Sequence, residues 1–262
     1  MKKNNRTRLL VMTITALAMI APLFAQTTGA EVMRHVYERP NGDNMQATLN
    51  MTITNSRGST RERSMVQFRQ DDGVTEKKIM FFTAPADVRN TSFLSYSYAD
   101  GGNDDQWIYL PALGRVRRIA SDKSNESFMG SDFTYDDMGV RHPSVDTHTI
   151  LREEIIDGWT CYVVESVPKE QNSEFAKTIS WVIKDEWIGL KKEFLAADGE
   201  VIRELEIDDY QEIDGIWVIT DMTMNNRKKN TSTRISMNEV SFDNNLRDSF
   251  FTERQMSIGP RT

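Results

Sequence analysis

The 262 residues carry 39 Asp and Glu against 32 Lys and Arg, a formal charge of −7, with one cysteine and three histidines. An acidic balance of this size argues against nucleic acid or an anionic lipid surface as a partner. A lone cysteine excludes an internal disulfide.

The chain opens with Lys2, Lys3, Arg6 and Arg8, then an apolar run from Leu9 to Ala21 ended by Pro22. This is the form of a cleavable export signal and is short for a bilayer span. We expect residues 1–25 to be that signal, with cleavage after Ala25 or after Ala30, and the remaining 26–262 to be one periplasmic domain. The leader holds four of the basic residues and no acidic one, so the remainder stands at −11. No cysteine follows the leader to carry a lipid anchor, and Cys161 sits in a strand-like run where burial keeps a thiol inert.

Ala30, Met33, Val36 and Tyr37 recur at helical spacing before Pro40-Asn41-Gly42, which predicts one short amphipathic helix. Met45, Ala47, Leu49, Met51 and Ile53 then alternate with polar residues, the period of a half-buried strand. Similar runs follow at 64–70, 77–83, 92–98, 106–110 and 115–120, and again at 147–156, 159–167, 177–183, 190–196, 201–207, 216–224 and 232–242. Asp157-Gly158, Asp198-Gly199 and Asp214-Gly215 are hairpin turn signals among them. The expected fold is mainly β, with about a dozen antiparallel strands in a curved sheet or open barrel.

Residues 121–138 break the alternation and set Phe128, Met129, Phe133 and Tyr135 among Ser, Asp and Asn. Short helices lying across the sheet as a lid would account for them. Asp132, Asp136 and Asp137 lack calcium-loop spacing and read more simply as a solvated helix face or as partners of Arg115, Arg117 and Arg118. Arg115 and Arg117 share one strand face and are candidates for a head-group or partner contact.

The search for chemistry yields little. Nucleophile-elbow, phosphate-loop, dinucleotide and zinc-protease patterns are all missing, and His35, His142 and His148 match no metal-ligand spacing. We therefore expect no enzyme activity, cofactor or metal.

Three ordered stretches, Ala84-Pro85-Ala86-Asp87-Val88-Arg89-Asn90-Thr91-Ser92-Phe93-Leu94, residues 104–119 around Gln106-Trp107-Ile108-Tyr109-Leu110-Pro111, and Phe128-Met129-Gly130-Ser131-Asp132-Phe133-Thr134-Tyr135-Asp136-Asp137, resemble the outer-membrane lipoprotein-sorting protein family, a branch of the LolA/LolB lipoprotein-carrier superfamily. The resemblance is sharpest over 84–137, and the strand pattern extends it over most of the chain. It implies an unclosed antiparallel barrel whose open side is plugged by helices over an apolar cavity, and a periplasmic carrier of lipid or lipoprotein acyl chains. It further implies an RND-type inner-membrane exporter as a possible partner.

Combined with the alternation, it places Ala47, Leu49, Met51 and Ile53 on the cavity wall, with Leu94, Tyr96, Tyr98, Trp107 and Tyr109 as their counterparts and Phe128, Met129 and Phe133 in the lid. The expected protein is a monomer that shuttles its ligand between an inner-membrane transporter and the outer membrane. A lipid-modifying hydrolase and an envelope scaffold without a ligand are the rival readings.

Overall fold

The computed structural model describes residues 27–170 and 173–260, so the expected export signal lies outside the described residues. The chain begins with α1 (Gly29–Glu38), capped by Thr28, whose hydroxyl accepts from the Glu31 amide while the Glu31 carboxylate reaches back to Thr28. Gly29 is required there: a Cβ would stand 2.7 Å from the backbone carbonyl carbon of His148.

Thirteen strands follow. They are β1 (Asn44–Thr54), β2 (Thr60–Asp71), β3 (Thr75–Ala84), β4 (Ser92–Tyr98), β5 (Asp105–Leu110) and β6 (Arg115–Arg118), then β7 (Asp146–Ile156), β8 (Trp159–Pro168), β9 (Lys177–Ile183), β10 (Gly189–Leu195), β11 (Val201–Ile213), β12 (Ile216–Asn226) and β13 (Thr231–Phe242). A short helix, α2 (Glu253–Ile258), is the last element among the described residues. The strands coincide with the thirteen expected runs. The main extension is β11, which runs on through its charged tail by pairing with β12 across bulges at Asp209.

All pairings are antiparallel, in the order β6-β5-β4-β3-β2-β1-β13-β12-β11-β10-β9-β8-β7. Two meanders are thus joined at β1 and β13, in the middle of the sheet, while β6 and β7 form its two edges. The chain from 119 to 145 leaves one edge and enters the other.

Strong curvature follows from two contacts. Gln106 of β5 donates to the Tyr135 carbonyl at 2.8 Å, and Arg203 of β11 meets the Asp137 carboxylate at 2.5 Å. Seven strand positions separate β5 from β11, roughly 34 Å in a flat sheet, whereas Tyr135 and Asp137 are neighbours but one. The sheet folds round the crossing segment as an unclosed barrel.

That segment is not the set of helices expected. It consists of single 3-10 turns at Ser121–Lys123, Phe128–Gly130, Asp136–Met138 and Pro143–Val145. Met129 is left-handed at φ 51°, and Gly130, Gly139 and Pro143 interrupt the chain before a second helical turn can form.

Candidate ligand-binding face

The inner face of the sheet starts from the alternation in β1. Met45, Ala47, Leu49, Met51 and Ile53 all point inward and are buried, and Met65, Met80, Phe82 and Phe93 continue the surface across β2 to β4. Ile235, Met224, Ile202 and Phe194 continue it across β13 to β10. Six of the 18 buried residues in this cluster are methionine, the side chain most able to repack around varied apolar shapes.

The crossing segment fills this face. Phe128 is fully buried, with ring centroids 5.2 Å from Phe93, 5.6 Å from Tyr135 and 6.1 Å from Phe82. Phe133 is buried beside it, and Met129 packs partly covered against the same cluster. The expected lid residues therefore meet Ala47, Leu49, Met51 and Ile53 in one apolar cluster.

Polar ties hold the plug to both walls. The Asp132 carboxylate accepts from the hydroxyls of Thr231 at 2.5 Å and Thr233 at 2.8 Å, both on β13. Asp137 pairs with the buried Arg203 and also accepts from the Thr134 amide at 2.8 Å. On the opposite wall the Val140 amide donates to Ser97 at 3.1 Å. Asp132, Asp136 and Asp137 are thus partnered by Thr231 and Thr233, Arg141 and Arg203, not by the arginines of β6. Arg118 pairs instead with Asp105.

Gly139 presses against Asp104 so closely that a Cβ there would overlap the carboxylate. Burial pushes the Asp104 carboxyl up to about 6, with Asp136 nearby acting in the same direction and Ser97 and Lys78 against it.

The other expected wall residues lie elsewhere. Leu94, Tyr96, Trp107 and Tyr109 point to the outer face of β4 and β5, where Phe250, Phe251 and Met256 of the C-terminal segment cover them. The Tyr96 hydroxyl bonds the Phe251 carbonyl. Tyr98 shares that outer face and donates to Asp105 at 2.8 Å; burial, reinforced by this bond, pushes its phenol up to about 12. In β4 the inward residues are Phe93, Ser95 and Ser97. The aromatic alternation marked a covered face correctly but the wrong one, because this half of the sheet is covered on both sides.

Arg115 and Arg117 stand exposed on edge strand β6; Arg117 pairs across to Ile108, itself opposite Phe93, so both face the inner side at its rim.

A second, polar hollow of about 260 Å³ lies between α1, the crossing segment and the inner faces of β3 and β7 to β10. Arg39, Glu76, Arg141, Asp146 and Lys192 line it, with Tyr37 and His148. Arg141 holds Asp146 through two bonds of 2.8 and 2.6 Å. A wider groove of about 770 Å³ opens at the rim between the β4–β5 turn and the crossing segment.

Two Ser–His contacts bear on the hydrolase reading. His142 Nδ1 lies 2.7 Å from the Ser144 hydroxyl within one turn, and His148 Nδ1 lies 2.8 Å from Ser166 as a cross-strand pair. His148 Nε2 is taken by the Pro143 carbonyl at 2.8 Å, Ser166 is buried, and neither imidazole is held by a carboxylate among the described residues. His35 stacks on Trp187 at 4.4 Å. Burial raises the Cys161 thiol above its ordinary value, against a nucleophilic role. No helix among the described residues is long and apolar enough to cross a membrane.

A family model described as an uncharacterized protein matches residues 74–257. A solved domain from Vibrio parahaemolyticus, described as an outer membrane lipoprotein-sorting protein domain, is 31% identical over 87% of this chain and 98% of its own, with a TM-score of 0.82. A DUF1329 family protein from Desulfovibrio piger is 27% identical over 87% of this chain and 97% of its own, again at 0.82. A LolA superfamily protein from Nitrosomonas europaea, 18% identical over 88% of this chain and 100% of its own, shares the fold at 0.69. No curated protein sequence matches.

Proposed function

This chain belongs to the outer-membrane lipoprotein-sorting protein family, a branch of the LolA/LolB lipoprotein-carrier superfamily, and we propose that it is a periplasmic carrier of lipid or lipoprotein acyl chains whose crossing segment closes over the ligand-binding face. The observation that carries this reading is the plug. Phe128 and Phe133 occupy a methionine-rich inner face as a tethered substitute for a ligand, on a segment with no α-helix of its own.

Magnitudes support the exchange. Burying two phenylalanines stabilises the closed state by roughly 3–6 kcal/mol, whereas a sixteen-carbon chain taken from water gains about 12 kcal/mol at about 0.8 per methylene. A chain taken from a bilayer gains nothing further, so the plug returns ligand to an acceptor membrane unless a partner holds it open. A monomer loaded at an inner-membrane transporter, of the RND type the family resemblance implies, and discharging at the outer membrane would use this asymmetry.

Export fits cleavage after Ala25. A cut after Ala30 would remove Thr28 and Gly29, which cap α1 and seat it on β7. The mature mass measured from periplasmic extracts separates the two sites.

Locking the plug tests the carrier reading. Asp132→Cys with Thr233→Cys, in a Cys161→Ala background, places two thiols where side chains now bond. The oxidised protein should lose binding of a neutral apolar fluorophore and recover it on reduction. A wild-type protein that binds no apolar probe would leave the scaffold reading in its place.

A further inference from the structure

Two cations in the polar hollow have no acidic partner. Lys192 is half-buried, with its ammonium 5.1 Å from the Phe194 ring centroid and no hydrogen bond or ion pair to any described residue. The carboxylates that act on it are engaged elsewhere: Asp137 by Arg203 at 2.5 Å, Asp146 by Arg141 at 2.6 Å, and Asp136 by Arg141 at 3.7 Å. Arg39, in the lining of the same hollow, donates only to the Trp217 carbonyl at 2.6 Å among the described residues. Glu76, the remaining acid in the lining, faces Arg69 and Lys78.

An unpaired charge partly withdrawn from water is costly, and cations lining one small hollow leave a place for an anion. Burial lowers the affinity of both groups for their protons, and an anion bound in the hollow would act in the opposite direction. The hollow also adjoins the apolar face, since the Phe194 beneath Lys192 belongs to the inner cluster. At about 260 Å³ it suits a head group better than a chain.

We propose that the Lys192–Arg39 hollow binds the phosphate or carboxylate of an acidic amphiphile, with Lys192 as its counter-ion and the tail directed onto the inner face vacated by Phe128 and Phe133. This inference rests on the carrier reading and names the ligand class: acidic single-chain or lipoprotein-like amphiphiles over neutral ones. The overall negative charge of the protein does not oppose it, because the hollow is lined by three cations and two acids.

The test compares palmitoyl lysophosphatidic acid with monopalmitoylglycerol as displacers of a neutral fluorophore, and inorganic phosphate as a thermal stabiliser. Wild type should prefer the acidic lipid by about tenfold or more, the scale of a charge-assisted hydrogen bond. Lys192→Met should abolish the preference while leaving the neutral lipid unchanged, Arg39→Gln should weaken it, and Lys192→Arg should keep it. Lys192→Met should also melt higher when empty, which a merely structural lysine would not do.

A Lys192-dependent rise in Tm with millimolar phosphate alone would assign the hollow to the free anion, and no such rise would assign it to a head group. Equal affinity for the two lipids in wild type, or a preference that survives Lys192→Met, overturns the proposal while the carrier reading stands. If neither lipid binds, the carrier reading fails, and the anion site then stands or falls on the phosphate measurement.

Discussion

Phe128→Ala should make the protein less stable and a better binder at once. The ring is fully buried, against Phe93, Phe82 and Tyr135, and its removal should cost about 3–5 kcal/mol, the usual range for phenylalanine truncation in a core. In an open, ligand-bound state the wild-type ring has already left that site. The variant therefore forfeits the ring mainly in the closed state, and opening becomes easier by roughly 1.5–3 kcal/mol, about 10- to 150-fold in apparent affinity. Urea unfolding and titration with a neutral apolar fluorophore measure the two effects on the same sample. Phe251→Ala is the control, since Phe251 is equally buried but lies on the outer face with Phe250 and Met256. It should destabilise comparably with no gain in binding. A destabilised Phe128→Ala protein with unchanged or weaker affinity would show that plug and ligand do not compete for one place.

Asp104→Asn should gain stability on wild type as pH rises. The folded carboxyl titrates at about 6 against an ordinary 3.8, so its contribution is full below the lower value and is lost as pH climbs through the upper one. The difference between variant and wild type should grow by about 2–3 kcal/mol between pH 4 and 8, read by denaturant midpoints, and a pH-independent difference would refute it. Asp132→Ala, which removes the acceptor of two threonine hydroxyls, should cost about 2–3 kcal/mol and speed hydrogen exchange at Phe128 and Ser131 more than in β1; uniform acceleration would deny a local release. Gly29→Ala should force α1 off the His148 backbone at about 1–3 kcal/mol, and an unchanged Tm would show that the helix is not seated there.

The strands were legible in the sequence because a sheet covered on one face writes its exposure as a period of two, as β1 does from Met45 to Ile53. The same rule misassigned β4, where Ser92–Tyr98 is covered inside by the plug and outside by Phe250, Phe251 and Met256. Period alone says nothing about which covered face is which. The terminal cluster Phe250-Phe251 followed by Met256 was the available signal: three large apolar residues after the last strand need a surface to cover. Lys192 was invisible for the opposite reason. In Leu190-Lys191-Lys192-Glu193 a charge alternating in a strand reads as solvent-facing, and only the curvature of the sheet turns its position inward.

The topology explains why the plug can be both well packed and releasable. Its ends are anchored to β6 and β7, the two strands that have a neighbour on one side only, and β6 is four residues long with exposed arginines. Edge strands give up fewer hydrogen bonds when they move than central ones do. The central pairing of β1 with β13, which contributes Met45, Ala47, Leu49, Met51, Ile53 and Ile235 to the apolar inner wall, need not change at all. The ties that resist opening are polar: Asp132 to Thr231 and Thr233, Asp137 to Arg203, Arg141 to Asp146, Ser97 to Val140 and Gln106 to Tyr135. Water can replace each of these once the segment lifts, so the net resistance per tie is small beside the apolar burial at stake. An incoming acyl chain replaces that apolar burial in kind, which is why the aromatic plug, rather than the polar ties, sets how readily the face exchanges its occupant.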